Sequence, residues 1–351
     1  VGGALSLEDK LNGPLGAALA PLGWLFAQIA KGRVSAFQSG RKASVRPPLP
    51  TLSIGNISAG GTGKTPLLFA ALEWLEKHGA TVGVLSRGYG GDEGRMLEER
   101  YPKVRLVEGA DRVAGMEKLL AGTPPELLLL DDGFQHLRLQ RDLDIVVIDA
   151  TRPFGRCFPA GLFREPISAL QRADLIVVSR AELVSEEKLE KIWSRIHRAC
   201  KGKPFQTRVE GGVQARDLRN LVTGEIMPVE EFAGRSVQLA AGIGNPHSFH
   251  ALCEGAGFKI ENFTRLADHH AWTAADAALF PSDPPLIVTE KDGVKVRPFA
   301  TEQMWELRVD WKFVRGFEAW ERCLTDLHLP VRAAMIEPLW AAQDPEGRNV
   351  T

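Results

Sequence analysis

Short runs that are apolar at every position, separated by stretches of helical periodicity, constrain this chain more than any other feature. TLSIGN at 51–56, TVGVLSRG at 81–88, ELLLLDD at 126–132, DLDIVVIDA at 142–150 and ADLIVVSR at 173–180 lack the alternation of a sheet with one wet face. Strands apolar on both sides must be covered on both sides, which means a parallel sheet between layers of helix. Helical patterns fall between them, near Pro66 to His78, Arg112 to Ala121 and Ser185 to Cys200. This part of the chain reads as an α/β domain.

A second set follows: SVQLAAGI at 236–243, a helix near Pro246 to Gly255, PPLIVTEKD at 284–292 and MWELRVDWKF at 304–313. The stretch from Gly202 to Gly234 between the sets reads as irregular. A length of 351 residues suits two domains. The expected division is an N-terminal apolar segment at 1–46, a P-loop domain at 47–204 and a smaller α/β domain at 205–351.

The segment Pro14 to Ala30, PLGAALAPLGWLFAQIA, has Gln28 as its one polar side chain and precedes Lys31, Arg33, Arg41, Lys42 and Arg46. Pro14, Gly16, Pro21 and Gly23 interrupt it too often for a spanning helix of about 20 residues. The pattern leaves two readings open: a buried core helix, or an interfacial helix with its apolar side in lipid and the cations at the headgroups. Pro47, Pro48 and Pro50 then form a stiff connector into the first strand.

The chemistry begins at Ser58-Ala-Gly-Gly-Thr-Gly-Lys-Thr65, between an apolar strand and a helix. Gly60, Gly61 and Gly63 leave backbone N–H groups free to face phosphate oxygens. Thr62 lies among them, Lys64 brings charge to the β- and γ-phosphates, and the Thr65 hydroxyl is a hard ligand for magnesium. Ser58 stands where the strict pattern has glycine; the bland alternative is a turn that only joins strand to helix. Asp131 and Asp132 close the leucine-rich run at 127–130, at the end of a strand where open α/β sheets bind ligands, and form the second half of a magnesium site.

Transfer of a phosphoryl group also needs cations and a proton acceptor. Arg87, Arg152, Arg156 and Arg164 all follow expected strands and are placed on one rim. Asp92 and Glu93 after SRGYGG, and the histidines of Asp268-His269-His270, are candidate bases, and the pattern alone does not choose among them. Zinc at His269 and His270 lacks a third ligand at metal spacing. Gly242-Ile-Gly244 is a poor dinucleotide loop, with His247 where a third glycine belongs, and reads as a tight turn. No Asn-Lys-x-Asp follows a late strand, so adenine is preferred to guanine.

Composition narrows the partners. Lys plus Arg number 43 against 44 Asp plus Glu, for a formal net charge of −1, which gives no bulk positive field for nucleic acid. Cys157, Cys200, Cys253 and Cys323 make no C-x-x-C pair and suit a reducing compartment. No stretch reads as a cleavable signal.

The blocks GNISAGGTGKTP at 55–66, SRGYGG at 86–91, DDGFQH at 131–136, RDLDIVVIDA at 141–150, PAGLFREP at 159–166, ADHHAW at 267–272 and VTEKDGVK at 288–295 together resemble the tetraacyldisaccharide 4'-kinase (lipid A 4'-kinase) family. The resemblance covers most of the chain and makes Ser58 ordinary. It implies transfer of the γ-phosphate of ATP, with Mg2+, to the 4'-hydroxyl of an acylated glucosamine disaccharide 1-phosphate in lipid A biosynthesis. It places the protein peripherally on the cytoplasmic face of the bacterial inner membrane, which favours the interfacial reading of the N-terminal helix.

By the same resemblance Asp92 is the base with His269 as partner, Arg164 neutralises phosphate, Glu165 joins Thr65, Asp131 and Asp132 at the metal, and Gln135 and His136 line the nucleotide. Gly94 replaces the family's proline, and the spacing from SRGYG to Asp92 is short. A catalytic set split between domains implies closure about 202–234 when ATP binds. The runner-up is a P-loop switch that regulates a partner or delivers a metal.

Overall fold

A computed structural model describes residues 11, 13–88, 91–200 and 207–327. Its strands are β1 (Thr51–Asn56), β2 (Val82–Ser86), β3 (Arg105–Glu108), β4 (Leu127–Asp131), β5 (Leu143–Asp149), β6 (Leu175–Ser179), β7 (Val209–Asn220), β8 (Ile226–Pro228), β9 (Ser236–Ala241), β10 (Lys259–Arg265), β11 (Leu286–Thr289) and β12 (Met304–Arg315). They form one sheet in the order β10-β9-β11-β12-β7-β6-β5-β1-β4-β2-β3, with β8 paired to β7.

The all-apolar runs behave as their composition demands. β1, β2, β5 and β6 are buried along their whole length, and β1 pairs in parallel with both β4 and β5. The helix Lys64–Lys77 covers this sheet with Leu67, Leu68, Leu72 and Leu75, while Glu186–Ala199, N-capped by Ser185, contributes Leu189, Ile192, Trp193 and Ile196 to another core cluster. At about 1.5–3 kcal/mol per buried large apolar side chain, these faces hold the layers together.

The stretch expected to be irregular contains a 12-residue strand, β7. Gly211, Gly212 and the charges of VEGGVQARDLRN hid it, because strands ordinarily exclude both. Here the charges are matched across an antiparallel ribbon with β12: Arg219 lies opposite Glu306 and Asp217 opposite Arg308, each pair with an N···O distance of 2.5 Å. A Cβ at Gly211 would run into the Trp311 ring at 2.8 Å.

That ribbon determines where the cleft lies. β6 joins it in parallel at the start of β7, at Val209 and Glu210, whereas β11 joins at the start of β12, opposite the end of β7. The two parallel sets therefore run in opposite directions and are offset along the ribbon. Their carboxyl ends face each other over its middle. The sheet is continuous between the expected domains, and the core of the first set extends to Val294, Trp311, Trp320 and Leu324. The expected boundary at 204 to 205 lies outside the described residues.

At the N-terminus, Pro14 and Pro21 occupy first-turn positions of two helices, Pro14–Ala18 and Ala20–Gln38, where a missing N–H costs nothing. No described helix is long and apolar enough to cross a membrane. Gly23 and Ala27 face inward, and a Cβ at Gly23 would meet Ala160 Cβ at 2.8 Å. The opposite side leaves Leu22, Trp24, Leu25 and Ile29 exposed, with Phe158 beside them through its edge contact with Phe26.

Candidate active site

The P-loop emerges where β1 ends. Gly63, at φ +83°, turns the chain into the helix Lys64–Lys77, a left-handed conformation that favours glycine. The loop is braced from neighbouring strands: Asn56 Nδ2 donates to Thr62 Oγ1 at 2.9 Å, Ser179 Oγ to the Thr62 carbonyl at 2.7 Å, and Arg180 to the Gly61 carbonyl at 2.8 Å. Arg180 is itself fixed by Asp149. Ser179 and Arg180 were read only for what they lack as a guanine motif; their position at the end of a strand beside the loop was the available signal.

Gly60, Gly61, Thr62, Gly63, Lys64 and Thr65 line a cleft of about 300 Å3 together with Asp131, Asp132, Arg87 and Arg164. Ser58 does not; it lines a separate cavity with Arg152, Arg156 and Arg195 on the other flank of the loop. The four arginines expected on one rim are thus divided two and two.

The adjacent aspartates differ sharply. Asp132 is 3.1 Å from Lys64 Nζ and 2.5 Å from Arg164. Burial opposes its ionisation, but those two cations hold its carboxyl down at about 2. Asp131 accepts from Ser86 Oγ at 3.3 Å; burial, and next the negative charge of Glu93, push it up to about 7.

Three residues expected at the metal or the nucleotide lie outside the cleft lining. Glu165, expected at the metal, is buried in a bidentate pair with Arg172 at 2.7 and 2.9 Å and also accepts from Gln135 at 2.9 Å. These contacts make it a strut under the loop, outside the cleft lining. Gln135, which also donates to the Asn56 carbonyl, belongs to that strut and not to the cleft lining. His136 is likewise absent from the lining; burial and the neighbouring Arg112 lower it to about 4.

Asp92 opens a helix, Asp92–Arg100. Met96 and Leu97 anchor it in the core, and Gly94 is accommodated because a Cβ there would strike the Glu108 carboxylate. The Asp92 side chain is fully buried. His269 Nδ1 lies 3.6 Å from it, Lys295 Nζ 2.9 Å and Lys291 Nζ 3.9 Å, and Lys291 also donates to Glu93 at 2.9 Å. Burial alone would raise the Asp92 carboxyl, yet the two lysines and His269 outweigh it and the net direction is down.

His269, 43% exposed, faces the cleft in front of the fully buried Asp92. The pair spans both halves of the sheet. Lys291 and Gly244 line the cleft and Lys295 stands behind Asp92, and no sequence motif marks any of the three. The sequence gives the lysines of VTEKDGVK no role and reads Gly244 as part of a turn, whereas the Gly244 backbone packs on the P-loop so closely that a Cβ would sit 2.7 Å from Gly61 N.

A parallel sheet with a braced P-loop, two strand-end aspartates and an acid–histidine pair across the cleft defines a P-loop kinase-like nucleotide-binding protein. The Tetraacyldisaccharide-1-P 4'-kinase (LpxK) family pattern matches residues 15–92 and 90–327, two stretches that overlap at 90–92. The chain is 39% identical over 329 residues to the tetraacyldisaccharide 4'-kinase of Pseudomonas aeruginosa PAO1, covering 88% of this chain and 92% of that one. It is 37% identical over 341 residues to that of Pseudomonas entomophila, covering 91% and 95%. A crystal structure of LpxK from Aquifex aeolicus in complex with ATP superposes with a TM-score of 0.71 at 26% identity, covering 90% of this chain and 99% of that one. The chain belongs to the tetraacyldisaccharide-1-phosphate 4'-kinase family.

Proposed function

We propose that this protein transfers the γ-phosphate of ATP to the 4'-hydroxyl of a tetraacylated glucosamine disaccharide 1-phosphate, on the cytoplasmic face of a bacterial inner membrane. The observation that carries the reading is the convergence of the P-loop and the Asp92–His269 pair on one cleft. Lys64 and Arg164, now sharing Asp132, are positioned to offset charge on the transferred group. The resemblance implies Asp92 as the base, but Asp92 is fully buried and His269 faces the cleft, so we assign the hydroxyl proton to His269, with Asp92 behind it stabilising the protonated imidazole.

The residues suit magnesium, which Thr65, Asp131 and Asp132 would hold. Magnesium prefers one or two carboxylates plus phosphate oxygens, and Asp131 lacks a cation of its own at ion-pair distance among the described residues. Bound there, the ion neutralises β- and γ-phosphate charge. The apolar part of the cleft, with Ile243, Phe249, Leu252 and Trp311, suits a nucleobase.

We assign the exposed face of Ala20–Gln38 to the membrane surface. Trp24 is 66% and Ile29 63% exposed, and Lys31, Arg33, Arg41 and Lys42 follow on exposed positions. Trp24→Ser with Ile29→Ser is expected to reduce sedimentation with anionic vesicles at least tenfold without lowering Tm, since each exposed group contributes about 1.5–3 kcal/mol when buried in lipid.

The test of function is incubation with γ-labelled ATP and the acylated disaccharide 1-phosphate. Label in the organic phase supports the kinase. Free phosphate released only when a partner protein is added overturns it in favour of a P-loop switch.

A further inference from the structure

Lys295 stands behind the site and not in it. Its ammonium lies 2.9 Å from Asp92 Oδ2, the lysine side chain is 14% exposed and the carboxylate 0%, and Lys295 is not among the residues lining the cleft, whereas Lys291 four residues earlier is. Both lysines come from the helix Glu290–Val296, which follows β11 in the far half of the sheet.

That helix lies against Asp92–Arg100 with charge contacts at both ends. Asp92 meets Lys295 and Lys291 at one end, and Arg100 is 3.8 Å from Glu290 at the other while also pairing with Asp310 of the ribbon. Thr289 caps the helix by accepting from Asp292 N at 3.1 Å, and Asp292 accepts from Gly242 N at 2.9 Å, which links the helix to the turn after β9. The lysine is thus held in a rigid frame, and its one ion-pair partner among the described residues is Asp92.

We propose that Lys295 is a positioning residue for phosphotransfer: from the opposite half of the molecule it holds the Asp92 carboxylate behind His269 and offsets its charge. The inference rests on the phosphotransfer reading above. A buried carboxylate with no such partner rotates toward whatever cation is nearest and pays a desolvation cost. The nearest remaining cation is Lys291, whose ammonium is shared with Glu93 and opens on the cleft. Among the described residues, the ionisable groups facing Asp92 are Lys291 and Lys295 from Glu290–Val296, His269 from the loop after β10, and Glu93 on its own helix, and the His269 imidazole also faces Asp268, at 3.9 Å. Removing Lys295 leaves more negative charge against the imidazole, favours its protonated form and moves the acid limb of activity to higher pH.

The experiment measures kcat, both KM values and the pH profile of label transfer for wild type, Lys295→Met, Lys295→Arg, Asp92→Asn and the double variant Asp92→Asn/Lys295→Met. Expected for Lys295→Met are a kcat lower by at least about tenfold, KM values within about twofold, and an acid limb raised by about one pH unit, with Lys295→Arg recovering most of both. In the Asp92→Asn background, where the carboxylate that Lys295 positions is already gone, Lys295→Met costs less than about twofold further. That last comparison carries the test if the single Met variant does not fold. An unchanged profile in Lys295→Met, or a large additional loss in the double variant, overturns the inference while wild type still transfers phosphate. Wild-type protein that transfers none overturns the phosphotransfer reading and this inference with it.

Discussion

On the β1–β6 side of the cleft, functional groups sit on turns that the sheet itself dictates; on the β9–β12 side they are placed by contacts between distant segments. The P-loop follows β1 directly, and Asp131 and Asp132 end β4, its neighbour in the sheet. His269 reaches Asp92 only because an offset ribbon turns two strand sets toward each other, and because Glu290–Val296 packs on Asp92–Arg100. The first side makes a phosphate cradle from local rules. The second adds His269 and the lysines that meet Asp92, and a cradle without that proton-handling set is a nucleotide-binding module and no more.

Substitutions on the two sides should fail differently. Lys64→Ala removes a cleft cation and leaves Asp132 with Arg164 alone. The expected loss is about 10³-fold or more in kcat/KM for label transfer, together with weaker ATP binding by calorimetry. His269→Ala, on the other side, should lower kcat by roughly 10²–10³-fold while the Kd for ATP stays within about threefold. Equal losses of ATP affinity in both variants would erase the division of labour.

The same contrast explains what could be read without coordinates. The apolar runs of β1, β4, β5 and β6 needed only one rule, coverage on both faces, and Ser58 to Thr65 declared itself by spacing. β7 did not, because its glycines and charges make sense only opposite Trp311, Glu306 and Arg308, a hundred residues away. Glu165 shows the converse: family likeness implies a place at the metal, whereas its pairing with Arg172, outside the cleft lining, is visible only in the fold. A residue's type announced its chemistry well, but its partner decided how that chemistry is used.

Gly244 tests the seam between the sides. Alanine there cannot be accommodated by a rotamer change, since the atom in the way is the backbone nitrogen of Gly61 at 2.7 Å. Either the P-loop or the turn after β9 must move. The expected result is a loss of about tenfold in ATP affinity, as its N–H groups leave their alignment, with a Tm lower by a few degrees. Unchanged ATP affinity with a lower Tm would mean that the turn yields and the loop does not.

The smallest effect separates the paired aspartates within the first side. Asp131 has an unfolded-state value near 3.8 and is pushed up to about 7 in the folded protein, by burial and then by Glu93. Between those values the native state keeps a proton that the unfolded chain has released, so the Asp131 contribution to stability falls as pH rises and levels off above about 7. Asp132, held at about 2 despite burial by Lys64 and Arg164, has the opposite sign: its contribution is complete above its unfolded value and is lost only as pH drops toward 2. In metal-free, nucleotide-free buffer, Asp131→Asn should therefore raise Tm by a few degrees at pH 8 and less at pH 5, whereas Asp132→Asn should lower it at both. Thermal melts at the two pH values decide it. An Asp131→Asn gain that does not grow with pH would mean that Asp131 is already neutralised by a neighbour, and that the first side of the cleft carries no uncompensated negative charge for a cation to relieve.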